Sequence, residues 1–144
     1  MKSITLRNKI KDILELIVDE TGTRTIKVVY NYPESKPSGY PYVYLTYNGY
    51  ESEELTNTQE RVIHKFEINL IQEKIEELKG RANAESTTME RSDEISEALR
   101  QSDDLDLDIL RLRPISSEKE YIENATRIKL RIEVECETIE NIKI

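Results

Sequence analysis

The chain has no tryptophan, one phenylalanine, one histidine, one cysteine and only 4 glycines in 144 residues. A single cysteine, Cys136, excludes an internal disulfide and any multi-cysteine zinc centre. It alternates with Ile132 and Val134, the pattern of a buried thiol. With so few glycines there is no G-x-x-x-x-G-K and no G-x-G-x-x-G, so phosphate capture by a glycine-rich loop is excluded. No apolar run approaches the ~20 residues of a membrane helix. Arg7, Lys9, Lys11 and Asp12 interrupt any secretory leader, so a soluble protein made in the cytoplasm, with no membrane partner, is expected. Basic charge is also short. The chain carries 21 Lys and Arg against 29 Asp and Glu, a net charge of −8. Phosphate clamps need the opposite balance. Residues 1–50 do carry 7 basic and 5 acidic groups, and the rest 14 and 24.

What is present is pattern. The 144 residues are 37% apolar and 35% charged, and the apolar ones recur with clear periods. One domain spanning 1–144 is expected, long enough to bury a core. The organising stretch is 40–72. It reads as strands over 40–47 and 61–72 joined by a polar loop, 48–60. In the second strand Val62, His64, Phe66, Ile68 and Leu70 share one face. A 13-residue connection is long for a hairpin, and such loops tend to be functional.

Before this stretch, Ile4, Leu6, Ile10, Ile13, Leu14, Ile17 and Val18 mark an amphipathic helix, with Ser3 as N-cap and Gly22 as stop. Residues 26–32 alternate Ile26, Val28, Tyr30 and Tyr32 as a strand. Pro33, Pro37 and Pro41 force an extended path onward. After it, the charged segment 73–85 reads as a loop or frayed turn. Thr87-x-x-Glu90 fits a capping box for a second helix near 87–101, with Met89, Ile95, Ala98 and Leu99 as its apolar stripe. Residues 104–115 read as a strand with a phase slip at Ile109-Leu110, which a bulge would explain, ending at Pro114. A turn region over 116–124 follows. The strand 126–138 points Ile128, Leu130, Ile132, Val134 and Cys136 inward, and 139–144 is a loose tail. The expected fold is α+β: a mostly antiparallel sheet with two helices packed on one face, in the order α-β-β-β-α-β-β.

Each candidate for chemistry has a plainer explanation. His64 would have to serve any Ser-His-Asp or Cys-His arrangement, yet it lies on an apolar strand face and no G-x-S-x-G surrounds a serine. Asp104-x-Asp106-x-Asp108 opens like a calcium loop, but Ile109 and Ile115 occupy the positions that need Gly and Glu. Glu77-x-Lys79 resembles the end of a nuclease motif without the Pro-Asp that should precede it. Tyr30, Tyr32, Tyr40, Tyr42, Tyr44 and Tyr47 cluster on neighbouring strands, but base stacking needs a basic groove. Packing or a protein interface suits them better. No catalytic residue, cofactor or metal ligand is assigned.

A helix followed by a V-Y-x-Y strand ending in proline, then Gly39-Tyr40-Pro41-Tyr42-Val43, then a Glu/Thr-rich loop and a strand with Arg61, Phe66, Ile68 and Leu70, forms a pattern over roughly 4–135. It resembles the tail terminator, or tail completion, proteins of long-tailed bacteriophages. The charged segment 73–85 is longer than that pattern expects. The resemblance implies a non-enzymatic virion protein at the tail–neck junction, assembled in the host bacterial cytoplasm. It implies a homo-oligomeric ring, usually a hexamer, that stops growth of the tail tube protein and meets a head–neck connector protein. DNA would pass through such a ring without specific binding. Another neck component, such as a head-closure or connector protein, is the nearest alternative, and a small metal-dependent nuclease a more distant one. The acidic loop residues Glu51, Glu53, Glu54 and Glu60, with Arg61 beside them, are the expected assembly and channel element.

Overall fold

The computed structural model describes residues 2–102 and 109–142. It comprises α1 (Ser3–Glu15), β1 (Val28–Tyr30), β2 (Tyr42–Glu54), β3 (Gln59–Ile71), α2 (Arg81–Arg100), β4 (Ile109–Ile122) and β5 (Arg127–Asn141). The α+β class and the expected element order hold. Five strands form one sheet in the order β1-β2-β3-β5-β4. Only the β1–β2 pair is parallel. The β2–β3, β3–β5 and β5–β4 ladders are antiparallel.

Both helices share one core on one face of the sheet. Leu6, Ile10 and Leu14 of α1 and Ile95 and Leu99 of α2 meet Val43, Leu45, Phe66, Ile68, Leu130, Ile132 and Val134. Period-2 patterning fixes this face along β3 and β5, where alternate side chains are buried as expected. Cys136 is fully buried, and burial, with Glu140 adding to it, pushes its thiol up to about 12. It is a packing residue rather than a nucleophile.

The edges of several elements differ from expectation. α1 begins inside Ser3 rather than after it, and stops at Glu15. Ile4 and Val18 are exposed. The Asp19 carboxylate accepts bonds from the Thr21 N–H and hydroxyl and from the Thr23 N–H, drawing 18–24 into a turn closed by a Val18–Arg24 bridge. Asp19 therefore organises a turn and does not sit against a helix dipole. β1 is three residues long, and its inward residue is Val29, one step out of the expected phase. It lies against Val43, which the core holds.

α2 starts at Arg81, with Gly80 as its N-cap, six residues before the capping box. Its first turns bury Ala84 and Thr88, a small residue and a polar one, which an apolar stripe does not register. Thr88 returns its hydroxyl to the Ala84 carbonyl and meets the buried Gln72 amide. Met89 points to solvent. β4 continues through Pro114 to Ile122, so 116–122 is strand rather than turn. An edge strand tolerates proline because one side of its backbone needs no ladder partner. The expected slip near Ile109-Leu110 is present, with a second between Pro114 and Ser116. The turn into β5 is confined to Glu123, Asn124 and Ala125, all with positive φ, before Thr126. β5 runs three residues past 138, so 139–141 is strand and not loose tail. Those residues pair with Gln59, Glu60 and Arg61, which a floppy tail could not do. Asp104, Asp106 and Asp108, and the first half of the strand expected over 104–115, lie outside the described residues.

Candidate assembly surface on the β2–β3 hairpin

The segment expected as a long loop, 48–60, is mostly strand. Asn48-Gly49 gives a strong turn signal in sequence. Here it forms a bulge: Tyr47 pairs with Phe66 and Tyr50 with His64, so 48 and 49 face one residue. Gly49 has φ +97°, a conformation open to glycine and strained for other residues. The ladder then resumes to Glu54↔Glu60. The true connection is 55–58. There the Thr56 hydroxyl accepts from the Thr58 and Gln59 N–H groups, and Gln59 returns its carbonyl to Leu55 and Thr56.

Register through the bulge sets where each acidic residue stands. Tyr50, Ser52 and Glu54 lie opposite His64, Val62 and Glu60, on the helix-bearing face. Glu51 and Glu53 lie opposite Ile63 and Arg61, on the outer face. Of the five residues singled out in sequence, the structure joins Glu53 to Arg61, at 2.5 Å. Arg61 also stands 3.6 Å from Glu137 of β5. Glu51 is bonded instead to Lys65, at 2.8 Å. The outer face is thus a lattice of alternating charges rather than a bare acidic wall. Glu54 and Glu60 sit together near the tip, where no ion pair to either forms among the described residues.

Beneath the hairpin lies a polar cluster that sequence reasoning missed. His64 is fully buried. Its Nε2 is 2.7 Å from a Glu140 oxygen and its Nδ1 is 2.9 Å from the Tyr47 hydroxyl. Glu140 also accepts from the Thr138 hydroxyl at 2.7 Å and from the Lys2 N–H at 3.2 Å. The neutral tautomer with its proton on Nε2 satisfies the whole chain, Tyr47 donating to Nδ1. Burial works against the Glu140 charge. The bonds from His64 and Thr138 outweigh it and hold the carboxyl below its ordinary value. Burial, with Glu140 and Tyr50 nearby, raises the Tyr47 phenol and keeps it a donor. Both His64 nitrogens are engaged, which leaves neither to meet a substrate. Glu140 ties the tip of β5 to the start of α1, where the helix dipole favours a carboxylate. Parity along β5 carried one turn further, through Thr138 to Glu140, is the sequence signal that points to this residue.

The tyrosines at the other end pack among themselves and under cations. Tyr40 and Tyr42 meet edge to face, the Arg127 guanidinium lies 3.7 Å from the Tyr40 ring centre, and Lys129 lies over Tyr44. Glu77 and Lys79 fall in the turn before α2. Among the described residues, no group of three His, Cys, Asp or Glu is placed to hold a metal ion.

No protein-family model matches the chain. No curated protein sequence matches it. Among solved structures, it is similar to a chain in the virion of a native gene transfer agent (GTA) particle, with a TM-score of 0.62 and 19% identity. The likeness covers 94% of this chain and 95% of that one. What the two share, end to end, is the fold.

Proposed function

We propose that this chain is a structural virion protein of the tail-terminator kind. It forms a ring, a hexamer in our reading, on the head-proximal end of a phage tail tube. The ring ends tube polymerisation and offers the surface to which the head–neck connector docks. Its partners are further copies of itself, the tube protein and the connector, and DNA passes through without specific contacts. It acts by assembly rather than by catalysis.

One observation carries this reading: the end-to-end likeness in fold to a component of a virion particle. Two features of the sheet support it. The β2–β3 hairpin extends as a paired, exposed arm. Among the described residues, β2 beyond β1 and the outer side of β4 have no strand partner, and such edges are templates for pairing with another chain. Electron microscopy of the purified protein, alone and mixed with tail tubes, tests the proposal. Closed rings, free or seated on one end of the tubes, are expected. A chain that stays monomeric at high concentration and leaves tube ends bare overturns it.

A further inference from the structure

The open edges of the sheet match each other in direction, height, face and charge. β1 covers β2 only from Tyr42 to Tyr44, so the edge of β2 from Leu45 to Glu54 has no strand partner among the described residues. Among the described residues the outer edge of β4 is likewise without a strand partner. Three successive antiparallel ladders separate the two, so β4 runs opposite to β2. Rotation about an axis along the strands preserves direction. The β4 of a neighbouring copy therefore arrives antiparallel to β2, and the alternation of the sheet continues across the boundary.

Height agrees as well. Followed through the ladders, Glu51 lies level with Ile63, Glu137 and Arg111. The free half of β2 is thus level with the first half of β4. The lower half of β4, around Glu118 and Glu120, is level with the part of β2 that β1 covers. Face agrees too, because Arg111 and Arg113 pair with Glu137 and Glu135, on the same outer face as Glu51 and Glu53. Charge is complementary: residues 45–54 hold three acids and no base, and 109–116 hold two bases and no acid. Arg111 forms no ion pair among the described residues, and Arg113 reaches Glu135 only at 3.7 Å. Apolar side chains stand exposed on both edges, Tyr47 and Tyr50 on one and Leu110 and Ile115 on the other.

We infer that a second copy of this chain docks its β4 edge against the free edge of β2, with Glu51 opposite Arg111, Glu53 diagonal to Arg111 and Arg113 diagonal to Glu51, and that this head-to-tail contact is the seam of the ring. The inference rests on the ring proposed above. Pro114 and the two bulges of β4 limit how many registers can pair, which guards the edge against indiscriminate partners while leaving this one open. Opposite charges directly across an antiparallel pair stabilise it, and like charges there repel.

The test reverses each side separately. Glu51→Lys with Glu53→Lys is one variant and Arg111→Glu with Arg113→Glu the other, their folds checked by circular dichroism. All four side chains are solvent-exposed, so folded protein is expected. Each variant alone should associate on the order of 100-fold more weakly than the wild type, as like charges meet across the seam. Mixing the two variants should restore rings, because in an alternating ring every seam regains opposite charges. Rings from either variant alone overturn the seam and leave the ring reading standing. A defect that mixing does not repair overturns the seam as well. A wild-type chain with no rings in solution or on tubes overturns both. As a second probe, Glu51→Cys with Arg111→Cys in one chain should give a ladder of covalent multimers on mild oxidation. Within one chain the two positions are three strand spacings apart, about 14 Å, too far to bridge. Monomer alone on a non-reducing gel from ring-forming protein overturns the seam.

Discussion

Glu140 shows how one residue couples distant parts of this chain. Its oxygens meet His64, Thr138 and the start of α1, 138 positions away in sequence. Its folded-state pKa is lowered from an ordinary 4.5. A depressed carboxyl contributes stability that is present above the unfolded value and lost as pH falls through the folded one. Glu73, held down by its bond from Arg91 against an opposing burial cost, adds in the same direction. Unfolding free energy, measured by urea titration from pH 7 to pH 3, should be flat near neutrality and fall below about pH 4.5. Glu140→Gln should lower stability at pH 7 by about 1–3 kcal/mol and make the acid-side fall shallower. An unchanged slope would show that the carboxylate does not carry the effect. His64→Gln should cost a similar amount through its buried bonds while ring formation persists. Normal stability with lost assembly would assign His64 a direct role instead.

At the scale of the element, the β2–β3 hairpin turns on Gly49. A Cβ there would meet nothing within 4 Å, so only backbone strain at φ +97° opposes a side chain. Gly49→Ala should destabilise by about 1–2 kcal/mol. The urea midpoint should shift at constant slope, since the surface exposed on unfolding is the same. A silent substitution would mean that the bulge relaxes into a regular ladder. Such a ladder would turn Glu51 and Glu53 over to the helix-bearing face, because a one-residue slip inverts every side chain beyond it.

For the whole molecule, the ion-paired outer face of the arm changes which acids are available to a channel. Glu51 and Glu53 are matched by Lys65 and Arg61, whereas Glu54 and Glu60 stand together at the tip. We propose the channel-facing role for this second pair. An acidic constriction repels duplex DNA, while a basic one would hold phosphates by releasing their counterions. Virions carrying Glu54→Lys with Glu60→Lys should assemble, contain DNA and release it more slowly in a fluorescence ejection assay. Wild-type release kinetics would remove these two residues from the channel.

The sequence by itself determined the α+β class, the element order, and the inward faces of β3 and β5. Period-2 alternation over long strands is a local signal, and a buried face enforces it residue by residue. It also marked the bulge near Leu110. Tertiary structure decided what local signals leave open. Asn48-Gly49 is compatible with a turn or a bulge, and only β3 alongside β2 selects the bulge. Pro114 reads as a stop until its strand is known to lie at an edge. α2 begins six residues before its capping box because Ala84 and Thr88 find partners on other segments, in Gln72 and the core. The residues proposed for channel and seam are the least local of all. Glu51 and Arg111 are 60 positions apart, and only ladder register places them at one height on one face.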